Sequence, residues 1–86
     1  MNRTMAYEAH LEKINALRNR AYDLDTISRA YSDYADDILR IMTKGALADQ
    51  AAEDLAEYAR KRAQACTTLA SVTRGTADDM EKNGLE

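Results

Sequence analysis

The chain has 86 residues, enough for one domain, and a formal net charge of −3, which does not favour binding to nucleic acid or to an anionic membrane. Its hydrophobic residues, 45% of the chain, include 16 alanines and no tryptophan or phenylalanine. Alanine favours helix but buries little area, so the composition favours helix strongly and a large core weakly. We therefore expect residues 1–86 to form a single helical domain whose core is completed by self-association or by a partner.

The first helix is predicted over about residues 4–43, where apolar side chains recur at coiled-coil spacing. Two rows form this seam: Tyr7, Ile14, Ala21, Ser28, Ala35, Met42, and His10, Leu17, Leu24, Tyr31, Ile38. The pairs Asp25–Arg29 and Asp36–Arg40 have helical spacing and support it. The Asp-, Thr- and Ser-containing run 23–28 leaves an alternative, a break there and a three-helix bundle. Because the seam stays in phase without Gly or Pro, we favour one helix.

A turn is predicted at Lys44 and Gly45, which are typical of a helix C-terminus and of the left-handed residue after it. The second helix is predicted over about 47–73, with an extension to 82 as the alternative. Its predicted seam consists of Ala52, Leu55, Ala59, Cys66, Leu69 and Met80. The short connection makes the two helices antiparallel neighbours. The predicted fold class is all-α, an antiparallel helical hairpin that completes a four-helix bundle as a dimer or with a partner.

Several apolar positions widen the stripe beyond what one neighbouring helix would cover. Arg62 falls within the second seam, where a charge can fix register or partner choice. Tyr22 lies off the seam, and an exposed tyrosine makes a good interface anchor. The predicted interface, with the chain itself or with a partner, comprises Tyr22, Ile27, Tyr34, Ile41, Tyr58, Arg62 and Val72.

The acidic residues concentrate near the turn. Residues 23–57 carry nine acidic and three basic groups, whereas both flanking segments are mildly basic. The predicted acidic tip comprises Asp33, Asp36, Asp37, Asp49, Glu53, Asp54 and Glu57. Carboxylates on a convex helical tip lack the pocket that would raise a pKa for catalysis, so we expect a solvated end or a docking surface for a basic partner.

The sequence favours a protein without enzymatic activity. His10 lies on the seam without convergent partners, and Cys66 is the single cysteine. No spacing of His and Cys fits zinc, and no calcium loop is present. We therefore predict no catalytic residue, no cofactor and no metal. The basic run Arg60-Lys61-Arg62 spreads around its helix and does not form one patch, which makes nucleic acid an unfavoured partner.

The outline resembles the Trp-x-Gly family of secreted hairpin proteins in length, single turn and alanine-rich second helix, although this chain reads Met42-Thr43-Lys44-Gly45 at the turn. It is also similar to the needle and co-chaperone subunits of type III secretion, which have two helices around a short turn. These resemblances imply a hairpin fold and transfer no functional residue. They raise one alternative function, a structural or exported subunit of a bacterial secretion system.

We predict a small protein–protein interaction module of bacterial or phage type: an adaptor, a chaperone-like partner or an inhibitor, acting through the apolar stripe and the acidic tip. A weak RNA- or DNA-binding helical dimer is a further alternative. No apolar run approaches the length of a membrane span, and Met1–Met5 has no apolar signal core. We therefore expect no membrane partner, and either cytoplasmic residence or export without a cleaved signal peptide.

Overall fold

A computed structural model of the chain describes residues 3–43 and 50–84. Helix α1 spans Arg3–Thr43 and helix α2 spans Gln50–Asn83. The helices run antiparallel, because His10 of α1 bonds to the Met80 carbonyl near the end of α2, whereas Ser28 bonds to the Ala63 carbonyl in its middle. The hairpin is a rod of 65 × 15 × 14 Å. The predicted helical hairpin is confirmed, while the predicted turn at Lys44 and Gly45 lies outside the described residues.

Helix α1 continues without a break through residues 23–28, so the three-helix alternative is wrong. The polar side chains of this run bond along or across the hairpin and leave the helical backbone bonds intact. Thr26 donates to the Tyr22 carbonyl one turn earlier, at 3.1 Å. Ser28 donates to α2, and Asp25 forms an ion pair with Arg74 of α2.

Two predicted ion pairs within α1 are replaced by others. Asp25 pairs across the hairpin with Arg74, where Arg29 was expected to be its partner. Arg40 pairs with Asp37, three residues earlier, and not with Asp36. Asp25 thus pairs with Arg74 on the second helix, although Arg29 has a suitable spacing on its own helix. The spacing of residues within one helix cannot predict such a partner.

Helix α2 extends ten residues beyond the predicted end at Thr73 and confirms the longer alternative. Gly75 lies inside the helix and does not end it. The helix ends instead at Asn83, and the following residue, Gly84, has a φ of 65°, the left-handed conformation typical of a residue after a helix C-terminus. Its N–H donates to the Met80 carbonyl at 3.1 Å. One of the last four carbonyls of α2, that of Met80, thus gains a donor.

The core between the helices consists mainly of alanine. Helix α2 buries one row at seven-residue spacing and two further alanines: Ala56, Ala63, Ala70, Ala77, and Ala52 and Ala59. Helix α1 contributes four buried apolar residues: Ile14, Ala21, Ala35 and Ile38. Because methyl side chains are short, the two helix axes can approach closely. The apolar area buried per residue is correspondingly small, so each core residue contributes little to the stability of the hairpin.

The predicted seam of α2 is partly wrong. Leu55 and Leu69 are 43% and 53% exposed, and Arg62 is exposed as well. Each of these residues precedes a buried alanine by one position, a rotation of about 100° around the helix. The alanine row faces α1 because it permits the closer approach. On α1, Tyr7 occupies a seam position but is 54% exposed, near the open end of the hairpin.

Candidate interaction surface

One long edge of the hairpin is polar and joins the two helices by ion pairs. Arg18 donates to Glu81 at 2.9 Å and to Asp78 at 3.1 Å, and Arg74 pairs with Asp25. The hydrogen bond from Arg18, and then its charge, lower the pKa of Glu81. We call this edge, with Arg18, Asp25, Thr67, Arg74 and Glu81, the polar face.

The opposite edge carries exposed apolar side chains from both helices. Each residue of the polar face comes one residue after a core position in the sequence, as Asp25 comes after Leu24. Ile27 and Leu55, in contrast, come one residue before a core position. One step in each direction places the two sets on opposite edges of a helix. We define the apolar face as ten residues: Ile27, Ala30, Tyr34 and Ile41 of α1, and Leu55, Tyr58, Arg62, Ala65, Leu69 and Val72 of α2.

The apolar face is long and narrow, and it contains a depression. From Leu55 to Val72 it covers roughly 26 Å of α2, at about 1.5 Å per residue. A shallow cavity of about 340 Å³, with almost wholly apolar walls, is lined by Ile27, Ala30, Tyr31 and Tyr34. Exposed apolar patches of this kind mark interaction sites in soluble proteins.

Arg62 is the one charged residue of the apolar face. Its Nε donates to the Tyr58 hydroxyl at 3.0 Å, and its guanidinium carbon lies 5.1 Å from the centroid of the Tyr58 ring. The planar guanidinium therefore lies over the aromatic ring of the residue one turn earlier. Within residues 3–43 and 50–84, no carboxylate forms an ion pair with Arg62.

The structure brings most of the predicted interface together. Six of its seven residues lie on the apolar face: Ile27, Tyr34, Ile41, Tyr58, Arg62 and Val72. Tyr22 is 66% exposed but lies twelve residues before Tyr34, about 120° around α1 and therefore away from this face. Its role as a partner contact stays a prediction.

Sequence reasoning placed Leu55 and Leu69 in the core and so missed two large residues of the apolar face. A signal for the correct phase was present in the strict seven-residue spacing of Ala56, Ala63, Ala70 and Ala77. Helices packed on alanine favour that row over a leucine row, because only short side chains permit the closest approach of the axes. When the alanine row faces α1, Leu55 and Leu69 must lie outside the core.

The acidic tip is exposed, and about half of its described carboxylates have partners within their own helix. Asp37 pairs with Arg40, Glu57 pairs with Lys61 at 3.2 Å, and Asp54 accepts a hydrogen bond from Gln50 at 2.9 Å. Asp33, Asp36 and Glu53 bond to no other described residue. Asp49 lies outside the described residues. The tip therefore offers a few unpaired carboxylates on a solvated surface.

His10 and Cys66, which the sequence analysis considered as reactive residues, both lie at the contact between the two helices. The His10 ring is partly buried, and its Nε2 lies 2.9 Å from the Met80 carbonyl oxygen, so Nε2 carries the proton of that bond. Cys66 is half-buried between the helices. Among the described residues, no three His, Cys, Asp or Glu side chains gather closely enough to hold a metal ion.

No helix in the described part of the chain combines the length and the apolar character that a membrane span requires. Comparisons of the chain with models of protein families, with curated proteins and with solved structures found no match. The resemblance to secreted and type III hairpin subunits therefore has no support from these comparisons. Residue roles follow from the geometry of the hairpin alone.

Proposed function

We propose that the chain is a non-enzymatic protein–protein interaction module that works by covering the surface of another protein with its apolar face. The observation that carries this proposal is the exposure of large apolar side chains on one edge of the rod. Tyr34, Leu69 and Val72 are each at least half exposed, although they lie together on the same edge. Leaving such a strip in water is unfavourable, and covering it would contribute stability to a complex.

The division of the hairpin into two edges supports the same proposal. The polar face uses its charged side chains to join α1 to α2, as Arg18 and Arg74 do. The side chains of the apolar face lie beside the alanine core and are only partly covered by the hairpin, since their exposed fractions include 41% for Ile41 and 60% for Val72. Their exposed apolar area is therefore available to a partner, while the ion pairs of the polar face join the two helices.

The nucleic-acid alternative has less support from the positions of the basic residues. Arg18 is engaged by Asp78 and Glu81, and Lys61 by Glu57. Arg62 lies over Tyr58 on the apolar face. Arg20, Arg29 and Arg60 form no ion pair with another described residue. However, Arg20 precedes a core residue, whereas Arg29 and Arg60 follow one, so these cations are divided between the two edges of the hairpin.

Two matched tyrosine variants test the proposal by affinity capture from the native host. Tyr34 and Tyr22 both lie exposed on α1, but only Tyr34 is on the apolar face. Tyr34→Ala is expected to weaken partner binding about tenfold or more, as truncation of an aromatic anchor does. Tyr22→Ala is expected to retain the partner, and both variants should keep the helical circular dichroism of the wild type. Capture lost with Tyr22→Ala but kept with Tyr34→Ala would place the contact on another surface.

A further inference from the structure

Charged residues of both signs lie one residue before a core position, along the edge that carries the apolar face. Lys13, Arg20 and Arg62 are basic, whereas Asp23, Asp37 and Asp79 are acidic. Asp37 is paired with Arg40. Arg62 lies between the exposed Leu55 and Leu69 and forms no ion pair with another described residue.

Arg62 lies close to the middle of the apolar strip, which runs from Leu55 to Val72 on α2. Its Nε is bonded to Tyr58, while its two terminal amino groups donate to no described residue. If an apolar surface covered Arg62, those donors would be buried without acceptors, which costs free energy. A partner therefore needs an acceptor opposite Arg62, and a carboxylate fits the planar fork of a guanidinium best.

A second copy of the chain, with its apolar strip centred on the first, would not supply this acceptor. If two apolar faces met in antiparallel orientation, the two-fold axis would pass near the middle of the strip and bring Arg62 against Arg62. If they met in parallel orientation, the two acidic tips would lie side by side. Each arrangement brings like charges together, and such contacts oppose association.

We propose that the apolar face binds one amphipathic helix of another protein, and that this helix carries a carboxylate opposite Arg62. The inference rests on the proposed function and specifies the chemistry of the partner. A helix about 10 Å in diameter and some 18 residues long would fill the groove along the strip. Its apolar residues at i, i+3, i+4 and i+7 would contact Tyr34 and Leu69, in the helix-in-groove manner.

Two synthetic peptides test this pairing. Both are amphipathic helices of about 20 residues with leucine at the seam positions, and they differ at one central seam position, which is Glu in one and Lys in the other. Binding is measured by fluorescence anisotropy with the full chain. We expect the Glu peptide to bind the wild type about tenfold more tightly than the Lys peptide, and Arg62→Glu to reverse this order.

Arg29→Glu is the matched control, because Arg29 is exposed on α1 two residues beyond Ile27, about 200° around the helix from the apolar face. This variant should preserve the preference for the Glu peptide. Equal affinities of the two peptides for the wild type, or no binding of either, would overturn the inference. So would a concentration-dependent dimer in sedimentation that Leu69→Glu abolishes, since a second copy would then occupy the face.

Failure of the inference and failure of the proposed function give different results. If both peptides bind equally and Tyr34→Ala abolishes their binding, the apolar face is an interaction surface but selects no carboxylate. If the native partner binds equally well to Tyr34→Ala and to the wild type, the proposed function itself is wrong. The peptide experiment and the capture experiment therefore decide separate questions.

Discussion

At the residue scale, the two described glycines of the hairpin have opposite conformational roles. Gly75 lies within α2 with nothing within 4 Å of the position that a Cβ would take. Gly84 ends the helix with φ +65°, which residues with a side chain rarely adopt. Gly75 therefore increases the conformational entropy of the unfolded chain and does not stabilise the folded one, whereas Gly84 allows the left-handed conformation after the end of α2.

Gly75→Ala is accordingly expected to raise the free energy of unfolding by about 0.5–1 kcal/mol, because alanine favours the helix and meets no neighbour. Gly84→Ala is expected to lower it by about 1–2 kcal/mol, because alanine resists the left-handed conformation. Urea denaturation of both variants at one protein concentration measures the difference. A loss of stability in Gly75→Ala would mean that α2 is not continuous at this position.

At the scale of the helices, the fit of α2 against α1 depends on the smallness of its buried residues. Ala70 is fully buried and belongs to the row that faces α1. Ala70→Leu would insert three more carbons into the buried alanine row between the helices, so the free energy of unfolding should fall by about 1–3 kcal/mol. Thr68→Leu adds a large apolar side chain at an exposed position of α2, and it should change stability by less than about 0.5 kcal/mol. Equal effects in thermal unfolding would show that the alanine row does not control the packing.

Features of the helices that depend on local interactions were predictable from the sequence, whereas features that depend on contacts between the two helices were not. Local periodicity, without Gly or Pro to interrupt it, predicted α1 and its continuity across residues 23–28. The phase of α2 was not predictable from hydrophobicity alone, because Leu55 and Leu69 outrank alanine on that scale. The burial of the alanine row is explained by the close approach that short side chains permit between two helices. The pairing of Asp25 with Arg74 likewise depends on the register between two distant segments.

The candidate site was predictable where the sequence carries more apolar positions than one neighbouring helix can cover. Ile27, Tyr34 and Ile41 were recognised because the apolar stripe of α1 is wider than one neighbour can cover. Arg62 was predicted as an interface residue from a seam position, and the structure places it outside the core, beside the exposed Leu55 and Leu69. The misplaced seam residue of the sequence is, in the structure, the single charge of an exposed apolar face.

At the scale of the whole molecule, the long rod needs a connection far from its turn, and Arg18 supplies one. It joins α1 to Asp78 and Glu81 near the end of α2, and the pKa of Glu81 is lowered by the hydrogen bond and then by the charge of Arg18. Because the native pKa is lower than the unfolded one, this interaction contributes stability above the ordinary pKa of a glutamate. The contribution is lost as the pH falls through the lowered native value.

Acid should therefore destabilise the wild type more than Arg18→Gln, which has already lost the interaction. The melting temperature, compared between about pH 7 and about pH 3, should fall further in the wild type than in this variant. Arg29→Gln, an exposed arginine of α1 without an ion pair among the described residues, should follow the wild type. Because the partners of Arg18 are exposed, salt should reduce the difference between the two curves. If Arg18→Gln shows the full wild-type loss in acid at low salt, the open end is held by the His10–Met80 bond and the apolar contacts, and the ion pairs of the polar face are dispensable for closing the hairpin.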